Sequence, residues 1–277
     1  MKHKLNLPLG RNTKYKDQYD NNLLVGIPRK FVRDSLGIHG DLPFKGVDIW
    51  NCYEVSWLNL KGKPCVRIMQ FSVPAESECI VESKSLKLYL NSLNATVFDS
   101  EATLVKTIKQ DLRHIVKAPI ALDIHKLDSI SPSGLTNFEG INIDDLDVNI
   151  TDYGVNLELL VNSEHTEDVK ETICSNLLKS NCLVTSQPDW ASVQIKYQGQ
   201  KINHESLLKY LISFRNHNEF HEQCVEHIFR DIMQQCKPKA LTVYAKYTRR
   251  GGIDINPFRT NLNMNKVTLD KSRDVRQ

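Results

Sequence analysis

Hydrophobic and polar residues alternate along residues 47–73, and this pattern predicts two β-strands joined by a short turn. The segment reads VDIWNCYEVSWLNLKGKPCVRIMQFSV, with the turn sequence KGKP between two runs rich in Val, Ile and aromatic residues. Such runs on either side of a glycine-containing turn are typical of a β-hairpin. The residues before the hairpin are polar and interrupted by glycines, so we expect loops there.

Two amphipathic helices are predicted to follow the hairpin. In CIVESKSLKLYLNSLN, Leu86, Leu90 and Leu93 recur at the spacing of one helix face. The second helix is predicted to begin after Ser100, a favoured N-cap residue, with Glu101 in its first turn. The apolar face of this second helix is formed by Leu104, Ile108, Leu112 and Ile115. The segment APIALDIHKL then predicts a further strand.

The order of predicted elements repeats in the second half of the chain. Strands are predicted in YGVNLELLVN and NCLVTSQPDWASVQIKYQG, helices in HESLLKYLISF and HNEFHEQCVEHIFRDIMQQC, and a last strand in ALTVYAKYTRR. Residues 128–150, rich in Ser, Gly, Asn and Asp, are predicted to connect the two halves. We therefore predict an α+β protein with two modules, residues 1–150 and residues 151–277, each of ordinary domain size.

Composition and charge narrow the class of protein. The chain has 277 residues and a formal net charge of +3, and its N-terminal basic residues are interrupted by Asp17 and Asp20. A nucleic-acid surface usually needs a basic stripe, so we expect a solvated N-terminal arm and no direct contact with nucleic acid. No apolar run is long enough to span a bilayer, and no signal peptide is recognisable. Seven cysteines without a CxxC pair favour reduced thiols and a cytoplasmic protein.

Cys182 is a candidate nucleophile because it lies among polar residues and is followed by Asp189. A thiolate attacks electrophilic carbon, and a nearby carboxyl group can manage its proton. A free cysteine is, however, more often a small buried hydrophobic residue. The sequence KSNCLVTSQPDW leaves both interpretations open.

A histidine-rich segment, HNEFHEQCVEH, is a candidate metal site. His217, His221 and Cys224 are predicted to lie on one helix face, with His227 one turn further on. The set resembles a zinc cluster, but the order HExxH is absent. The alternative is an interface or a polar wall of a site. Adjacent His221 and Glu222 also suit a recognition edge, since a carboxylate accepts two N–H donors.

Two segments are candidate anion sites. In YTRRGGIDINPFR, Arg249 and Arg250 precede two glycines, which suits either a solvated tight turn or close approach to a phosphate. In ESKSLKLY, Lys84 and Lys87 lie at a predicted helix start, where unpaired N–H groups attract anions. We expect Glu82, just before that helix, to be free to face a ligand. Neither GxGxxG nor a P-loop occurs, so a Rossmann domain is not expected.

Four blocks of the chain resemble one family, in the same order. They are ESKSLKLY at residues 82–89, then SNCLVTSQPDW, FHEQC and YTRRGGIDINPFR. Together they resemble the NADPH-dependent 7-cyano-7-deazaguanine reductases, the nitrile reductases of queuosine biosynthesis, in their long two-module form. The resemblance implies two tandem tunnelling-fold (T-fold) modules, each an antiparallel sheet backed by two helices. It also implies a homodimer that works without a metal.

The resemblance further implies roles for individual residues. Cys182 would attack the nitrile carbon of the substrate to form a covalent thioimide, and Asp189 would supply the proton to nitrogen. Two successive hydrides from NADPH would then complete the reduction to the amine. The residues implied in deazaguanine binding are Val81, Glu82, Ser83, His221 and Glu222. The residues implied in NADPH binding are Ser83, Lys84, Arg250 and Gly251.

Two other functions stay open at this point. One is a zinc-dependent T-fold cyclohydrolase or pterin-synthase-like enzyme, which would use His217, His221 and Cys224 as ligands. The other is a non-catalytic base-binding module, for example for tRNA, although the near-neutral charge counts against RNA.

Overall fold

The structure, a computed structural model, describes residues 15–129, 135–151, 153–164, 167–270 and 272–277. Most of the predicted N-terminal arm, as far as residue 14, lies outside the described residues, as does part of the predicted connector, residues 130–134. Within the part of the chain that is described, no helix combines the length and the apolar character needed to cross a membrane.

The chain forms two compact units, each built from more than one stretch of sequence. The first unit takes its described residues from 1–39, 48–133 and 249–255, and the second takes them from 40–47, 134–248 and 256–277. Two long strands, β2 (Lys45–Leu58) and β10 (Ile253–Thr260), therefore contribute residues to both units. The module boundary at residue 150 stays a prediction.

The first unit contains an antiparallel sheet and two long helices. Its sheet strands follow the order β5–β3–β2, and β3 pairs antiparallel with β5 from Ile68 opposite His125 to Ser72 opposite Ala121. A separate pair, β1 and β4, is also antiparallel. In chain order the elements besides β2 are β1 (Gly26–Pro28), α1 (Lys30–Arg33), β3 (Pro64–Pro74), β4 (Cys79–Val81), α2 (Ser83–Ser92), α3 (Glu101–Val116) and β5 (Ala121–His125).

The hydrophobic core of the first unit confirms the predicted hairpin and helices. Trp50 of β2 and Phe71 of β3 stack with ring centroids 5.5 Å apart and are almost fully buried. The apolar faces of α2 and α3 pack into the same cluster. Ser100 caps α3, since its Oγ accepts the N–H of Thr103 at 3.1 Å. Ile115 is only partly buried, and the neighbouring Val116 is the fully buried residue of the last turn.

The second unit repeats the arrangement of a sheet with two helices. Its strands follow the order β6–β7–β8–β9–β10, antiparallel except that β6 pairs parallel with β7. In chain order the elements before β10 are β6 (Ile141–Asn142), β7 (Asp168–Asn181), β8 (Pro188–Gln200), α4 (His204–Ser213), α5 (His221–Gln235) and β9 (Ala240–Tyr247). Helices and antiparallel strands thus occur in both units, as the α+β prediction requires.

One predicted strand in the second half is wrong. The segment YGVNLELLVN contains a 3-10 helix, Leu157–Leu159, instead of a strand. The side chain of Asn156 accepts the N–H of Glu158 at 2.9 Å and caps this turn. A local hydrogen bond of this kind competes with strand pairing, which explains why an apolar run failed to become a strand.

The strand predicted in NCLVTSQPDWASVQIKYQG is also incorrect in its first part. Strand β8 begins only at Pro188, and residues 182–187 connect it to β7. The sequence pattern did not predict β7 itself. Its register against β8 shifts between Ser175 and Leu178, and this irregularity breaks the alternation on which a strand prediction depends.

Candidate active site

The hairpin of β7 and β8 carries both residues predicted to be catalytic. Ser180 and Asp189 lie directly opposite each other in the antiparallel ladder, so their side chains share one face of the sheet. Cys182 begins the connecting loop, and its N–H still donates to the carbonyl of Gln187 at 2.8 Å. Since side chains alternate along a strand, the position two residues after Ser180 continues the same face. The hairpin register therefore indicates that the Cys182 thiol and the Asp189 carboxylate lie on the same side of the sheet.

The end of β7 is tied to the segment that leads into α5. The N–H of Asn181 donates to the carbonyl of His217 at 2.7 Å, and the N–H of Glu219 donates to the carbonyl of Asn181 at 3.0 Å. These two bonds hold the residues before α5 alongside the residue that precedes Cys182. The first turn of α5, with His221 and Glu222, is thereby fixed next to the hairpin.

Asp189 and His221 form a direct contact within the second unit. Nε2 of His221 lies 3.3 Å from Oδ2 of Asp189, and the imidazole stacks on the ring of Tyr247 with centroids 3.8 Å apart and planes inclined by 5°. Nδ1 of His221 is buried and has no hydrogen-bond partner among the described residues. A buried ring nitrogen without a partner is unfavourable, and a water molecule or a ligand group at this atom would satisfy it.

Glu222 and Lys179 add charge close to this pair. The side chain of Glu222 is buried in the first turn of α5, where the helix N-terminus stabilises negative charge. Burial and the nearby Arg215 lower the pKa of Lys179 below its ordinary value, and Asp189 opposes this shift. The Lys179 ammonium donates to Oδ1 of Asn181 at 2.7 Å. Asp189 at the start of β8 and Glu222 at the start of α5 are thus two buried acidic side chains of the second unit, and Lys179, which precedes Ser180, bonds Asn181 on the other face of the strand.

The surroundings of the seven cysteines distinguish Cys182 from the others. Cys182 and Cys65 are partly exposed, and the other five are buried. Burial raises the pKa of the Cys224 thiol well above its ordinary value, and Glu219 adds to that shift. Cys224 therefore stays a thiol at neutral pH, and a thiol is a poor nucleophile. Accessibility and this pKa argument leave Cys182 as the reactive candidate in the second unit.

The zinc cluster considered from the sequence is not assembled. Helix α5 begins at His221, so His217 precedes the helix and does not share its face. Among the described residues, the side chains whose ligand atoms could share an ion are instead His217, Glu219 and His227, with those atoms within 4.8 Å of one another. His221 contacts Asp189 and does not belong to this group. Glu219 carries no sequence signal for such a site, because no recognised motif includes it.

Glu219 and His227 belong to a hydrogen-bonded network, and Nε2 of His217 lies 3.2 Å from Oε1 of Glu219. Nδ1 of His227 lies 3.2 Å from Oε1 of Glu219, and its Nε2 lies 3.4 Å from Oδ2 of Asp231. Tyr210 donates to the same Asp231 oxygen at 2.7 Å. Burial raises the pKa of Glu219, but the adjacent imidazoles of His217 and His227 outweigh burial and hold that pKa below its ordinary value. The network holds the segment that anchors the end of β7.

In the first unit, Glu82 is engaged as the N-cap of α2. Its two carboxylate oxygens accept the N–H groups of Lys84 at 2.9 Å and Ser85 at 2.7 Å. Burial raises the pKa of Glu82 above its ordinary value, although these two N–H groups oppose the shift. The expectation that Glu82 is free to face a ligand is therefore wrong for this conformation. The side chain of Val81 lies in the hydrophobic core, so only its main chain is available to a substrate.

The turn between β9 and β10 lies against α2, also within the first unit. Gly251 and Gly252 have φ values of 55° and 74°, and Arg250 and Ile253 exchange backbone hydrogen bonds across them. Positive φ at both central positions is typical of a type I′ turn. Lys87 of α2 donates to the carbonyl of Gly251 at 2.9 Å. A Cβ at Gly251 would lie 3.0 Å from Nζ of Lys87, so the turn approaches α2 closely.

The predicted site residues thus form two sets. Asp189, His221 and Glu222 occur together in the second unit, with Cys182 at the adjacent hairpin. The residues Ser83, Lys84, Arg250 and Gly251 occur in the first unit, where Lys87 connects α2 to the glycine turn. Tyr247, the support of His221, was not predicted, because the last residue of a strand carries no local signal of such a role. The individual roles of all these residues stay predictions.

Comparison with family models matches both halves of the chain. Residues 15–124 match the model described as "Nitrile reductase, 7-cyano-7-deazaguanine-reductase N-term", and residues 188–266 match the model described as "QueF-like protein". The first match contains the start of α2, and the second contains Asp189, the first turn of α5 and the glycine turn. Cys182 lies between the two matched ranges. The chain therefore belongs to the 7-cyano-7-deazaguanine nitrile reductase family, in its long form of two tandem T-fold modules.

Proposed function

We propose that this protein reduces the nitrile of 7-cyano-7-deazaguanine to an aminomethyl group, with NADPH as reductant and Cys182 as covalent nucleophile. Family membership supports the substrate and the overall reaction, a step of queuosine biosynthesis. The observation that carries the assignment of residues is the buried Asp189–His221 pair beside Glu222, with one imidazole nitrogen left without a partner.

The buried carboxylate of Glu222 suits recognition of the deazaguanine ring. A guanine-like edge presents a ring N–H and an exocyclic amine, and a carboxylate accepts both in charge-assisted hydrogen bonds. Nδ1 of His221 offers one further polar contact in the same part of the second unit. A polar group of the ligand at this nitrogen would satisfy an atom whose burial is otherwise unfavourable by about 1–3 kcal/mol.

The proposed chemistry begins when the Cys182 thiol passes its proton to Asp189 and the sulfur attacks the nitrile carbon. A carbon–sulfur bond forms, one π bond of the nitrile breaks, and its electron pair moves to nitrogen. Asp189 supplies the proton that nitrogen then requires, a role that needs a carboxyl group within hydrogen-bond reach. His221, whose Nε2 lies 3.3 Å from Asp189 Oδ2, orients that carboxyl group. The product of this step is a thioimide on Cys182.

The residues of the first unit fit an anionic cofactor. Lys84 at the start of α2 and Arg249 and Arg250 before the glycine turn supply positive charge in the first unit, and Lys87 and Glu54 pack against the two glycines. Ser83, Lys84, Arg250 and Gly251 would hold NADPH, which supplies the two hydrides of the reduction. Retention of the substrate on Cys182 would keep the intermediate bound while one nicotinamide is exchanged for another.

Mass spectrometry and NADPH absorbance test the proposal together. We expect the protein with the nitrile alone to gain the mass of one substrate, and Cys182→Ala to abolish both this adduct and NADPH oxidation. Cys65→Ala is the matched control, since Cys65 is the other partly exposed cysteine. This control should keep the adduct and the turnover. An adduct mapped to Cys65 or Cys224 would refute the nucleophile assignment, and absence of nitrile-dependent NADPH oxidation would refute the reaction.

The zinc-dependent alternative is separated by metal analysis. Stoichiometric zinc that is lost on replacing Glu219 or His227, combined with absence of nitrile reduction, would favour it. By the family resemblance we also propose a homodimer in the cytoplasm. Light scattering on the purified protein measures the oligomeric state.

A further inference from the structure

Arg249 packs over the aromatic ring of Tyr53 in the first unit. Its guanidinium lies 4.5 Å from the ring centroid of Tyr53. The Tyr53 hydroxyl donates to Oδ2 of Asp254 at 2.7 Å, and Asn51 donates to Oδ1 of the same carboxylate at 2.7 Å. The Tyr53 N–H donates to the carbonyl of Gly252 at 2.9 Å. The Tyr53 ring is thus held at both its hydroxyl and its backbone, and the guanidinium of Arg249 packs over its face.

Arg249 differs from the neighbouring Lys87 in its charge environment. Lys87 pairs with Glu54 at 3.3 Å and also donates to the carbonyl of Gly251. Arg249 is exposed and has no acidic partner among the described residues. Its five N–H donors therefore face solvent on a side chain whose orientation is already restricted. Such a guanidinium is prepared for an anion with several acceptor oxygens.

The start of α2 is not the source of phosphate recognition in the first unit. A helix N-terminus close to a basic cluster is an ordinary phosphate site, because its N–H groups are unpaired. Here the N–H groups of Lys84 and Ser85 already donate to the carboxylate of Glu82. A phosphate at this location would have to displace that carboxylate. Recognition of a phosphate by the first unit must therefore come mainly from side chains and from the glycine turn.

We propose that Arg249, supported by Tyr53, binds the 2′-phosphate of NADPH and sets the preference of the enzyme for NADPH over NADH. This inference rests on the proposed function. A phosphomonoester carries nearly two negative charges and three acceptor oxygens, which match the fork of a guanidinium. Arg250 and Gly251, adjacent in the chain, would contact the rest of the cofactor, so one turn would serve two parts of the same ligand.

Calorimetry with nucleotide fragments tests the inference without turnover. Adenosine 2′,5′-bisphosphate carries the 2′-phosphate, whereas ADP carries phosphates only on the 5′ side. We expect Arg249→Ala to weaken binding of adenosine 2′,5′-bisphosphate about 10- to 100-fold, the usual range for a charge-assisted contact, and to leave ADP binding unchanged. Arg249→Lys, which keeps the charge and loses the fork, should give an intermediate loss.

Arg67→Ala is the matched control. Arg67 also lies over an aromatic ring of the first unit, at 5.4 Å from the Trp57 centroid, but it is paired with Glu101 at 2.6 Å. Its removal should leave the affinities for both nucleotides unchanged. Tyr53→Phe should keep most of the 2′-phosphate affinity, whereas Tyr53→Leu should lose part of it, because only leucine removes the aromatic support.

The ratio of kcat/KM for NADPH to that for NADH provides the second measurement. We expect this ratio to fall about 10- to 100-fold in Arg249→Ala, while the adduct on Cys182 forms as in the unmodified protein. Equal losses for adenosine 2′,5′-bisphosphate and ADP, or an unchanged cofactor ratio, would overturn the assignment to the 2′-phosphate. Failure of the proposed function differs from failure of the Arg249 assignment. If the proposed function is wrong, the unmodified protein oxidises neither NADPH nor NADH in the presence of the nitrile.

Discussion

Nε2 of His221 lies 3.3 Å from Oδ2 of Asp189, and both side chains are largely removed from solvent, with 15% and 5% of their surface exposed. Solvent screens such a pair weakly, so the position of a proton in one group affects the other strongly. The two residues lie 32 positions apart, at the start of α5 and at the start of β8. We expect them to act as one proton-handling unit.

Coupling of this pair is tested by single and double substitutions. Asp189→Asn should slow turnover by about 10²- to 10⁴-fold, the usual contribution of a positioned acid, with a smaller loss of substrate affinity. His221→Gln should also slow turnover. If the residues act together, the double variant should be no slower than the slower single variant. Steady-state kinetics measure this, and multiplied losses in the double variant would mean that the two residues act independently.

Glu222 is expected to determine substrate binding. Glu222→Ala should lose about 1.5–3 kcal/mol of affinity for the deazaguanine, because two donors of the ring edge are left poorly paired. Affinity for NADPH should stay the same. Glu222→Gln is the second variant. Its amide keeps the shape of the side chain and one acceptor oxygen, so it should lose less affinity for the deazaguanine than Glu222→Ala. Titration calorimetry with both ligands checks this, and equal losses for the two ligands would indicate a folding defect instead.

Glu219 is expected to make stability depend on pH in the acidic range. Burial opposes the shift, but the adjacent imidazoles of His217 and His227 outweigh it and lower the pKa of Glu219 in the folded state. Ionised Glu219 therefore stabilises the protein above the ordinary carboxyl pKa of about 4.3, and this stabilisation is lost as pH falls through the lower folded value. Glu219→Gln should reduce the free energy of unfolding at pH 7 by about 1–3 kcal/mol.

The difference in the free energy of unfolding between Glu219→Gln and the unmodified protein should shrink as the pH is lowered below the ordinary carboxyl pKa of about 4.3. Urea unfolding at several pH values measures this difference. Glu76→Gln, at an exposed position, is the control and should leave the free energy of unfolding unchanged at each pH. A difference that stays constant with pH would show that Glu219 acts through packing and not through its charge.

Fragments cut at residue 150 should each fail to fold cooperatively. The N-terminal fragment would lack Ile253 and Ile255, which lie in the core of the first unit. The C-terminal fragment would lack Phe44, which is buried in the second unit with its ring 5.5 Å from that of Phe229. Loss of each such side chain removes roughly 1.5–3 kcal/mol of hydrophobic stabilisation, and neighbouring strand residues are lost with it.

Circular dichroism and urea titration of each fragment check this expectation. We expect broad transitions and no nitrile reduction from either fragment alone. A fragment of residues 1–150 that unfolds in one sharp transition would show that residues 249–255 are dispensable for the first unit.

The sequence by itself determined those helices and strands whose hydrophobic pattern is contained within the element itself. Helix α3 followed from its spaced apolar residues and from the Ser100 cap, and the first hairpin followed from its alternation around KGKP. The motifs that identify the family are also contiguous, so they could be recognised without coordinates. Each of these signals is carried by residues within one or two turns or strands of each other.

Only the tertiary structure decided the contacts between distant residues. The stacking of His221 on Tyr247, the partner of Asp189 and the support of Arg249 by Tyr53 each join residues from different elements. No local period encodes such contacts, because they depend on strand register and on how a helix packs against a sheet. Strand β7 escaped prediction for the same reason: its irregular register is stabilised by pairing with β8, and not by its own alternation.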